Sequence, residues 1–450
     1  MSRLPRIVVL GGAAVGAGFY VIFFARIVAA GEVFHRLGFD WTMFWAQAMV
    51  LRNGGREAMY DLASMNTHLV QLAAYYRGRV SFATAQPVPY PPWFAALMVP
   101  FTVPPPPVGL ALWYGVSILA LLYLAYRVRG FLPNFGFFGS TVLILAAIPV
   151  ATDLYTGQVA LLLAIPVGEM LISFKARQDF RAGLWLAVLL VKPQYAVLFG
   201  IFVLWKLRRQ AIWGAIVGTL GFVVLGLLTA GAGAFLALPR AVLSMADSQD
   251  GLGAPWLMIN WRAIVPAMNL PITNQTSILV VVVLSALTMG VALFPWRGNW
   301  KPEAPEFAPR FCLLTLGALI SSYHSHLHGA ALLIIPVAAA WGMRTFQLPT
   351  RVAIAAALYL PTFILLWTAA IVRHFVVPSN IDVQLWYVWP SEQPAILFAL
   401  AFALMTFDLS GVRISSVLAS AARLWSQLSR IRHGRLIVAG ATALSCWELC

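Results

Sequence analysis

Long apolar runs separated by short polar segments set the pattern of this chain. The runs are continuous and rich in Leu, Ala, Val and Phe, and they do not alternate residue by residue. Continuous runs favour helices over barrel strands, because a helix satisfies its backbone hydrogen bonds within one segment. At roughly 20 residues per crossing, the pattern predicts an all-α, polytopic membrane protein with about 10–12 transmembrane or half-membrane helices. The apolar segments fall near residues 7–29, 108–126, 138–150, 159–174, 182–191, 194–205, 211–230, 277–294, 311–322, 329–343, 352–372 and 394–410.

Three longer polar segments are predicted as the outer loops of a single transmembrane domain. The domain covers residues 1–412, the loops cover about 30–89, 231–276 and 373–393, and a basic tail with a short apolar C-terminus follows at 413–450. In the first loop, aromatic and apolar residues recur at helical spacing from Trp41 to Val50, which predicts an amphipathic helix along the membrane surface. Gly54-Gly55 is predicted to end that helix. The first apolar run, 7–29, lacks a convincing cleavage site and is predicted to be a retained helix.

Polar residues interrupt two of the apolar regions. The stretch 152–158 separates 138–150 from 159–174, and each flank is short for a complete crossing, so both are predicted to be half-helices. Lys192-Pro193 interrupts the apolar region 182–205 in the same way. A polar break is tolerated at membrane depth only where it lines a cavity, so Lys192 is predicted to face a cavity in the outer part of the membrane.

Composition and charge agree with this pattern. Hydrophobic residues make up 61% of the chain and charged residues 10%, and the mean hydropathy is +0.83, which excludes a soluble globular protein. The net charge of +15 lies in short basic clusters between apolar runs, which favours cytoplasmic loops over nucleic-acid binding. The N-terminus and the basic tail are therefore predicted to be cytoplasmic, with the tail resting on anionic lipid. Three cysteines support neither a disulfide framework nor a metal site.

Several short motifs, taken together in order, resemble glycosyltransferase family 87. They are Phe39-Asp40-Trp41, Gly54-Gly55 with Tyr60-Asp61, Tyr90-Pro91-Pro92, Gly157-Gln158, Ala182-Gly183-Leu184 with Lys192-Pro193, and a late His-rich segment, and they span roughly residues 30–345. The resemblance implies a membrane-embedded enzyme of the GT-C type that resembles polyprenyl-phosphate-mannose-dependent α-mannosyltransferases. It further implies a lipid-linked donor, an active site on the outer face of a bacterial inner (plasma) membrane, and inversion at the anomeric carbon.

The chemistry of such a transfer requires one general base. An acceptor hydroxyl loses a proton as it attacks the sugar, whereas the departing lipid phosphate is a stable anion and needs no second carboxylic acid. Asp40 is predicted to be the base, and a helix N-cap is the ordinary alternative role for it. Lys192 is predicted to bind the donor phosphate, against the alternative of a lysine that snorkels to the interface. Asp61 is predicted to be structural.

Further candidates surround these two residues. Gln158 is predicted to hydrogen-bond donor or acceptor, or alternatively to hold two half-helices together, and Tyr90 and Trp41 are candidate substrate contacts. The other outer-loop aromatic residues are predicted mainly as interfacial anchors; they are Trp45, Trp256, Trp261, Trp386, Tyr387 and Trp389.

The segment Tyr323–His328 contains three of the seven histidines. It is predicted to bind phosphate or to assist the base, with His326 the first choice, since the family resemblance places a helix-start histidine there, and His324 beside it. A zinc site is the second interpretation, although no cysteine is near and the nearest acid in sequence is Glu306. The acidic residue that often follows the family histidine is absent from this sequence.

The function predicted from these residues is transfer of a sugar, mannose by resemblance, from a polyprenyl-phosphate donor to a lipid or glycan acceptor. No cofactor is required, and the expected partners are membrane lipids, the donor and the acceptor, without nucleic acid or an obligate protein partner. Two alternatives remain open at this stage. A secondary transporter would show an internal repeat, and no convincing one is found; a flippase or scaffold for glycolipid precursors would need no essential carboxylate.

Overall fold

The computed structural model describes most of the chain. The described residues are 3–31, 33, 37–76, 85–86, 88–247, 255, 258–268, 273–343, 345–375 and 392–411. The predicted basic tail at 413–450 lies outside these residues, as do Trp256, Trp386, Tyr387 and Trp389 and most of the third predicted outer loop.

The described residues form helices joined by short turns, and no β-strand occurs among them. The helices are α1 (Arg3–Ala29), α2 (Phe39–Arg52), α3 (Leu62–Tyr75), α4 (Pro92–Met98), α5 (Pro106–Phe131), α6 (Gly136–Ala146), α7 (Ile148–Thr156), α8 (Ala160–Lys175), α9 (Asp179–Val188), α10 (Pro193–Trp205), α11 (Arg209–Asp247), α12 (Trp261–Ala267), α13 (Asn274–Leu293), α14 (Phe307–Ser321), α15 (Ile334–Gly342), α16 (Leu348–Phe375) and α17 (Glu392–Ser410). The predicted all-α fold class is confirmed.

Several of these helices have the length and composition of membrane spans. Within the described residues, four helices are each long and apolar enough to cross a membrane: Arg6–Ala29, Pro106–Phe131, Arg209–Ser244 and Asn274–Trp296. A fifth span is formed if α6 and α7, which meet at a bend of 70°, are counted as one. Shorter apolar helices of 10–17 residues accompany them. The protein is therefore a multi-pass membrane protein, and its mixture of long and short helices agrees with the predicted full and half-membrane segments.

Both predicted breaks are present. The Lys192-Pro193 break separates a 3₁₀ turn (Leu189–Val191) from α10, and Pro193 occupies the first position of α10, where its missing N–H costs nothing. The other break is narrower than predicted. Residues 152–156 belong to α7, and only the turn at Gly157-Gln158, with Gly157 at a φ of 72°, separates α7 from α8.

The prediction of a surface-lying helix from Trp41 to Val50 is wrong. The helix, α2, exists and ends at Arg52 just before Gly54, which has a φ of 88°, as predicted. However, α2 is buried on nearly every side, because α3, α4 and the 3₁₀ turn Val99–Thr102 pack around it. Its wide apolar surface suits burial within protein. The amphipathic helix of this loop is α3, which buries only Met65, Leu69 and Leu72.

Helical structure also extends past the predicted start of the second outer loop. α11 continues to Asp247 through a kink at Gly231, where φ is 79° and ψ is 171°. Only glycine adopts such a backbone conformation readily, so Gly231 redirects the helix where the sequence pattern suggested an end.

A charged cluster centred on Glu169 joins three helices at the opposite end of α8 from the Gly157-Gln158 turn. The fully buried Glu169 carboxylate pairs with Arg127 at 2.7 Å and Arg181 at 2.9 Å, and it accepts a hydrogen bond of 2.8 Å from the Tyr123 hydroxyl. A buried carboxylate is tolerated when it is paired in this way. The cluster therefore fixes α5, α8 and α9 relative to one another.

Candidate functional site

Asp40 lies in the first turn of α2 and is almost completely buried, at 3% exposure. The N-cap position of α2 is Gly38, with a φ of 69° and no side-chain cap hydrogen bond, so the capping alternative for Asp40 is wrong. Instead, Asp40 Oδ2 accepts a hydrogen bond of 2.8 Å from Gln158 Nε2. Burial raises the pKa of the Asp40 carboxyl, while the Gln158 hydrogen bond and the Lys192 charge act in the opposite direction.

The Gly157-Gln158 turn fits directly against the start of α2. The Gly38 N–H donates to the Tyr155 carbonyl at 2.9 Å, and the Trp113 indole N–H donates to the Gly157 carbonyl at 2.9 Å. A Cβ atom on Gly157 would lie 2.9 Å from the Trp41 Cβ and 3.1 Å from the Gly38 Cα. Glycine at 157 thus meets two requirements, a positive φ and a close approach of two backbones, and the approach brings Gln158 to Asp40.

Gln158 bridges the base candidate and the cation candidate. While Nε2 donates to Asp40, Oε1 accepts hydrogen bonds from Lys192 Nζ at 2.9 Å and from the Tyr90 hydroxyl at 3.0 Å. The structure therefore brings together four residues that are far apart in sequence. Gln158 is a buried amide, as its alternative role requires, but its side chain joins Asp40, Tyr90 and Lys192 rather than the half-helices 138–150 and 159–174.

Lys192 is buried at 6% exposure, so the snorkelling alternative is wrong. Besides Gln158, its ammonium group contacts His328 Nε2 at 3.2 Å and lies 5.4 Å from the centre of the Tyr90 ring. Because Lys192 follows a 3₁₀ turn and precedes Pro193, the break in the helix directs its side chain into the bundle.

The histidine that contacts Lys192 is His328, which sequence reasoning did not single out. His326 stacks on His328 at 5.5 Å between ring centres, and its Nε2 lies 3.0 Å from His324 Nε2. The three side chains therefore form a row that starts at Lys192, with the two predicted residues further along it. The alternation of His with other residues predicted a cluster of histidines at the site, but it did not indicate which histidine contacts Lys192. Among the described residues, no group of three or more His, Cys, Asp or Glu side chains has the arrangement of a metal site.

Asp153 is a second buried acid that sequence reasoning passed over. Its carbonyl accepts the N–H groups of Gly157 at 2.9 Å and Gln158 at 3.0 Å, and its carboxylate Oδ1 accepts the N–H of Ala160 at 2.7 Å. One residue thus holds both sides of the turn that carries Gln158. The signal in the sequence was an acid four residues before a glycine, at the predicted break.

Two other predicted residues have structural contacts. Trp41 is fully buried against Gly157 and lies 6.3 Å from Trp45 between ring centres.

Asp61 caps α3: its Oδ2 accepts hydrogen bonds from the N–H and the hydroxyl of Ser64 at 2.8 and 2.7 Å, so the structural prediction for Asp61 is confirmed. These hydrogen bonds lower the pKa of the exposed Asp61 carboxyl.

The fold and site define a multi-pass helical membrane protein with a buried carboxylate, amide and ammonium at its centre. The family model described as glycosyltransferase family 87 matches residues 89–322, about half of the chain. The chain belongs to glycosyltransferase family 87, and it is a membrane-embedded glycosyltransferase. The matched region includes Tyr90, Gln158 and Lys192, whereas Asp40 and His328 lie outside it. No match was found among curated proteins or among solved structures.

Proposed function

We propose that this glycosyltransferase moves a sugar, mannose in the first instance, from a polyprenyl-phosphate donor to a lipid or glycan acceptor. The reaction takes place at the outer face of the inner (plasma) membrane, inverts the anomeric carbon and uses Asp40 as the general base. The observation that carries the proposal is the link from Asp40 through Gln158 to Lys192. This link holds a carboxylate and an ammonium group on the two sides of one buried amide.

The proposed step is a single displacement. The acceptor oxygen forms a bond to the anomeric carbon and gives its proton to Asp40. The bond from that carbon to the donor phosphate oxygen breaks, and its electron pair stays on the phosphate. Negative charge therefore leaves the carboxylate and appears on the departing phosphate, which is where a positioned cation stabilises the transition state.

The hydrogen-bond pattern suits this division of roles. Among the described residues, no ion pair joins Asp40 to Lys192 directly, and the neutral Gln158 amide lies between them. Asp40 Oδ1 is buried and has no hydrogen-bond partner of ordinary geometry among the described residues, although the Thr156 side chain interacts with the carboxyl, so Oδ1 has capacity to accept the acceptor's proton. Lys192 keeps its charge available for an anion, in a buried setting where electrostatic interactions are stronger than in water.

The row of histidines supports an anionic ligand near Lys192. Neutral imidazole both donates and accepts hydrogen bonds, so His328 accepts from Lys192, and the paired rings of His326 and His324, whose Nε2 atoms lie 3.0 Å apart, are the proposed donors to phosphate oxygens. We include His324 and His326 in the donor phosphate site and Tyr90, through its hydrogen bond to Gln158, in the sugar site. The proposed chemistry uses no metal or cofactor.

A transfer assay tests the proposed donor. Purified protein in lipid nanodiscs is given radiolabelled polyprenyl-phosphate mannose and a membrane lipid extract as acceptor, beside a nucleotide-linked mannose. The proposal predicts labelled product from the polyprenyl donor alone, with the same yield in EDTA. Transfer from the nucleotide donor, or loss of transfer in EDTA, would overturn the proposed donor or the metal-free mechanism respectively.

A further inference from the structure

A second buried cation lies beside the histidine row, on a loop that contributes no residue to the proposed site. The loop before α12 is tied to the segment that precedes the row: the Ile259 N–H donates to the Ser325 carbonyl at 2.7 Å, and Asn260 Nδ2 donates to the Ser322 carbonyl at 2.7 Å. These contacts join residues that are more than 60 positions apart in sequence, and they fix the start of α12 against the histidine segment.

Arg262 is the residue that this arrangement positions. Asn260 is the N-cap of α12, and its Oδ1 accepts the Arg262 N–H at 3.1 Å. The Arg262 side chain is buried, at 5% exposure, and its guanidinium carbon lies 4.6 Å from the centre of the Tyr323 ring. A buried arginine stacked on an aromatic ring is held in one orientation, which suits recognition of a planar or tetrahedral anion.

Lys192 contacts the other end of the same segment, at His328. Gln194, two residues after Lys192, donates to the His324 carbonyl at 3.4 Å, and Lys192 itself contacts His328. The two cations therefore flank the histidine row. Burial lowers the pKa of His324 most, and the interaction with the His326 ring and the charges of Lys192 and Arg262 lower it further.

We propose that Arg262 is the second cation of the donor phosphate site and contacts the phosphate oxygen that departs from the sugar. This inference rests on the proposed function and deepens it by naming the residue that recognises the leaving group. The donor phosphodiester carries one negative charge, whereas the released polyprenyl monophosphate carries about 1.5–2. The two positive charges of Lys192 and Arg262 match the phosphate charge of the product and the transition state better than that of the donor. Arg262 therefore stabilises the negative charge that develops on the phosphate during transfer.

Binding of polyprenyl phosphate, the released product, tests the inference without requiring turnover. The affinity of wild-type protein in nanodiscs is compared with that of Arg262→Gln and Arg262→Lys, and with a control, Arg129→Gln, which removes an exposed arginine stacked on Tyr126 at 4.3 Å. Arg262→Gln is expected to bind about 10- to 100-fold more weakly, because it loses a charge-assisted hydrogen bond. Arg262→Lys is expected to bind more weakly than wild type by a smaller factor, since lysine lacks the guanidinium fork. Arg129→Gln is expected to bind as wild type does.

Wild-type affinity in Arg262→Gln would overturn the inference. Should that variant fail to give a monodisperse protein, wild-type affinity in Arg262→Lys would overturn it instead. The kinetic counterpart is a fall in kcat that exceeds the rise in KM for the donor, because the contact strengthens as the bond breaks. If wild-type protein binds no polyprenyl phosphate, the proposed function fails together with the inference; if wild type binds and the Arg262 variants bind equally, only the inference fails.

Discussion

Gln158 donates from Nε2 to Asp40 Oδ2 at 2.8 Å while its Oε1 accepts from Lys192 Nζ at 2.9 Å. One neutral side chain therefore sets the position of two buried groups of opposite charge. The amide satisfies part of the hydrogen-bonding capacity of each group and keeps them from closing into an ion pair, and each group then retains capacity for substrate.

Removing the Gln158 amide should impair transfer more than folding. Gln158→Leu keeps a similar volume but leaves Asp40 and Lys192 without their shared partner, so both side chains lose their fixed positions. We expect kcat/KM to fall about 10- to 100-fold, which corresponds to the loss of a hydrogen bond to a charged group. The measurement is transfer by purified variants, with Gln71→Leu on the exposed side of α3 as the control. An equal effect of both substitutions would contradict the role assigned to Gln158.

The pH dependence of transfer should follow the ionisation of Asp40. A general base acts in its deprotonated form, so kcat/KM is expected to rise with pH through the pKa of Asp40. Because burial raises that pKa, the midpoint should lie above the value of about 3.9 for an exposed aspartate. Gln158→Leu removes a hydrogen bond that stabilises the charged form, so its midpoint should move to still higher pH. A downward shift in the variant's pH–rate profile would contradict the proposed contact.

Gly157→Ala should disturb the fit between the turn and α2. The new Cβ would require a positive φ that alanine adopts poorly, and it would lie 2.9 Å from the Trp41 Cβ. We expect a loss of about 1–3 kcal/mol in the free energy of unfolding together with reduced transfer. Gly54→Ala is the matched control: its φ is 88°, yet its Cβ would have nothing within 4 Å, so it should lose stability without a comparable loss of activity in the folded fraction.

Asp153 should act through the turn rather than through the substrate. Asp153→Ala removes the acceptor for the Ala160 N–H, and we expect a loss of about 0.5–2 kcal/mol in stability and a displaced Gln158. Asp153→Asn keeps a side-chain oxygen at the same place, so it should retain most of both stability and activity. Thermal unfolding and transfer rates of the two variants check this order. If Asp153→Asn is as inactive as an Asp40 variant, Asp153 has a chemical role of its own.

The sequence was most informative where a charged residue or a glycine interrupts a long apolar run. The apolar runs predicted a helical membrane protein, and the charges and glycines inside them marked the breaks at Gly157-Gln158 and Lys192-Pro193, because such residues are costly at membrane depth without a purpose. The same reasoning selected Lys192, whereas Asp40 was selected as the first-loop acid that the family resemblance implies; the structure joins the two through Gln158.

The remaining features depend on which surfaces pack together. An apolar stripe on α2 is compatible with a membrane surface or a protein interior, and only the packing of α3 and α4 shows that it is interior. Likewise, three histidines at alternate positions do not reveal which one faces Lys192. That choice depends on the backbone of the turn that leads into the 3₁₀ helix Leu327–Leu333, where α-helical periodicity carries no information.

The most direct test of the account is the rate of sugar transfer by Asp40→Asn beside Asp61→Asn. Both substitutions replace a carboxylate by its amide in the segment between α1 and α4, and asparagine preserves the cap at 61. Asp40→Asn should fold as wild type does, since a neutral amide is easily accommodated in a buried site, and should bind polyprenyl-phosphate mannose. We predict that its transfer rate falls by about 10²- to 10⁴-fold, whereas Asp61→Asn keeps the wild-type rate. Wild-type transfer by Asp40→Asn would show that another group removes the acceptor's proton and would contradict the account.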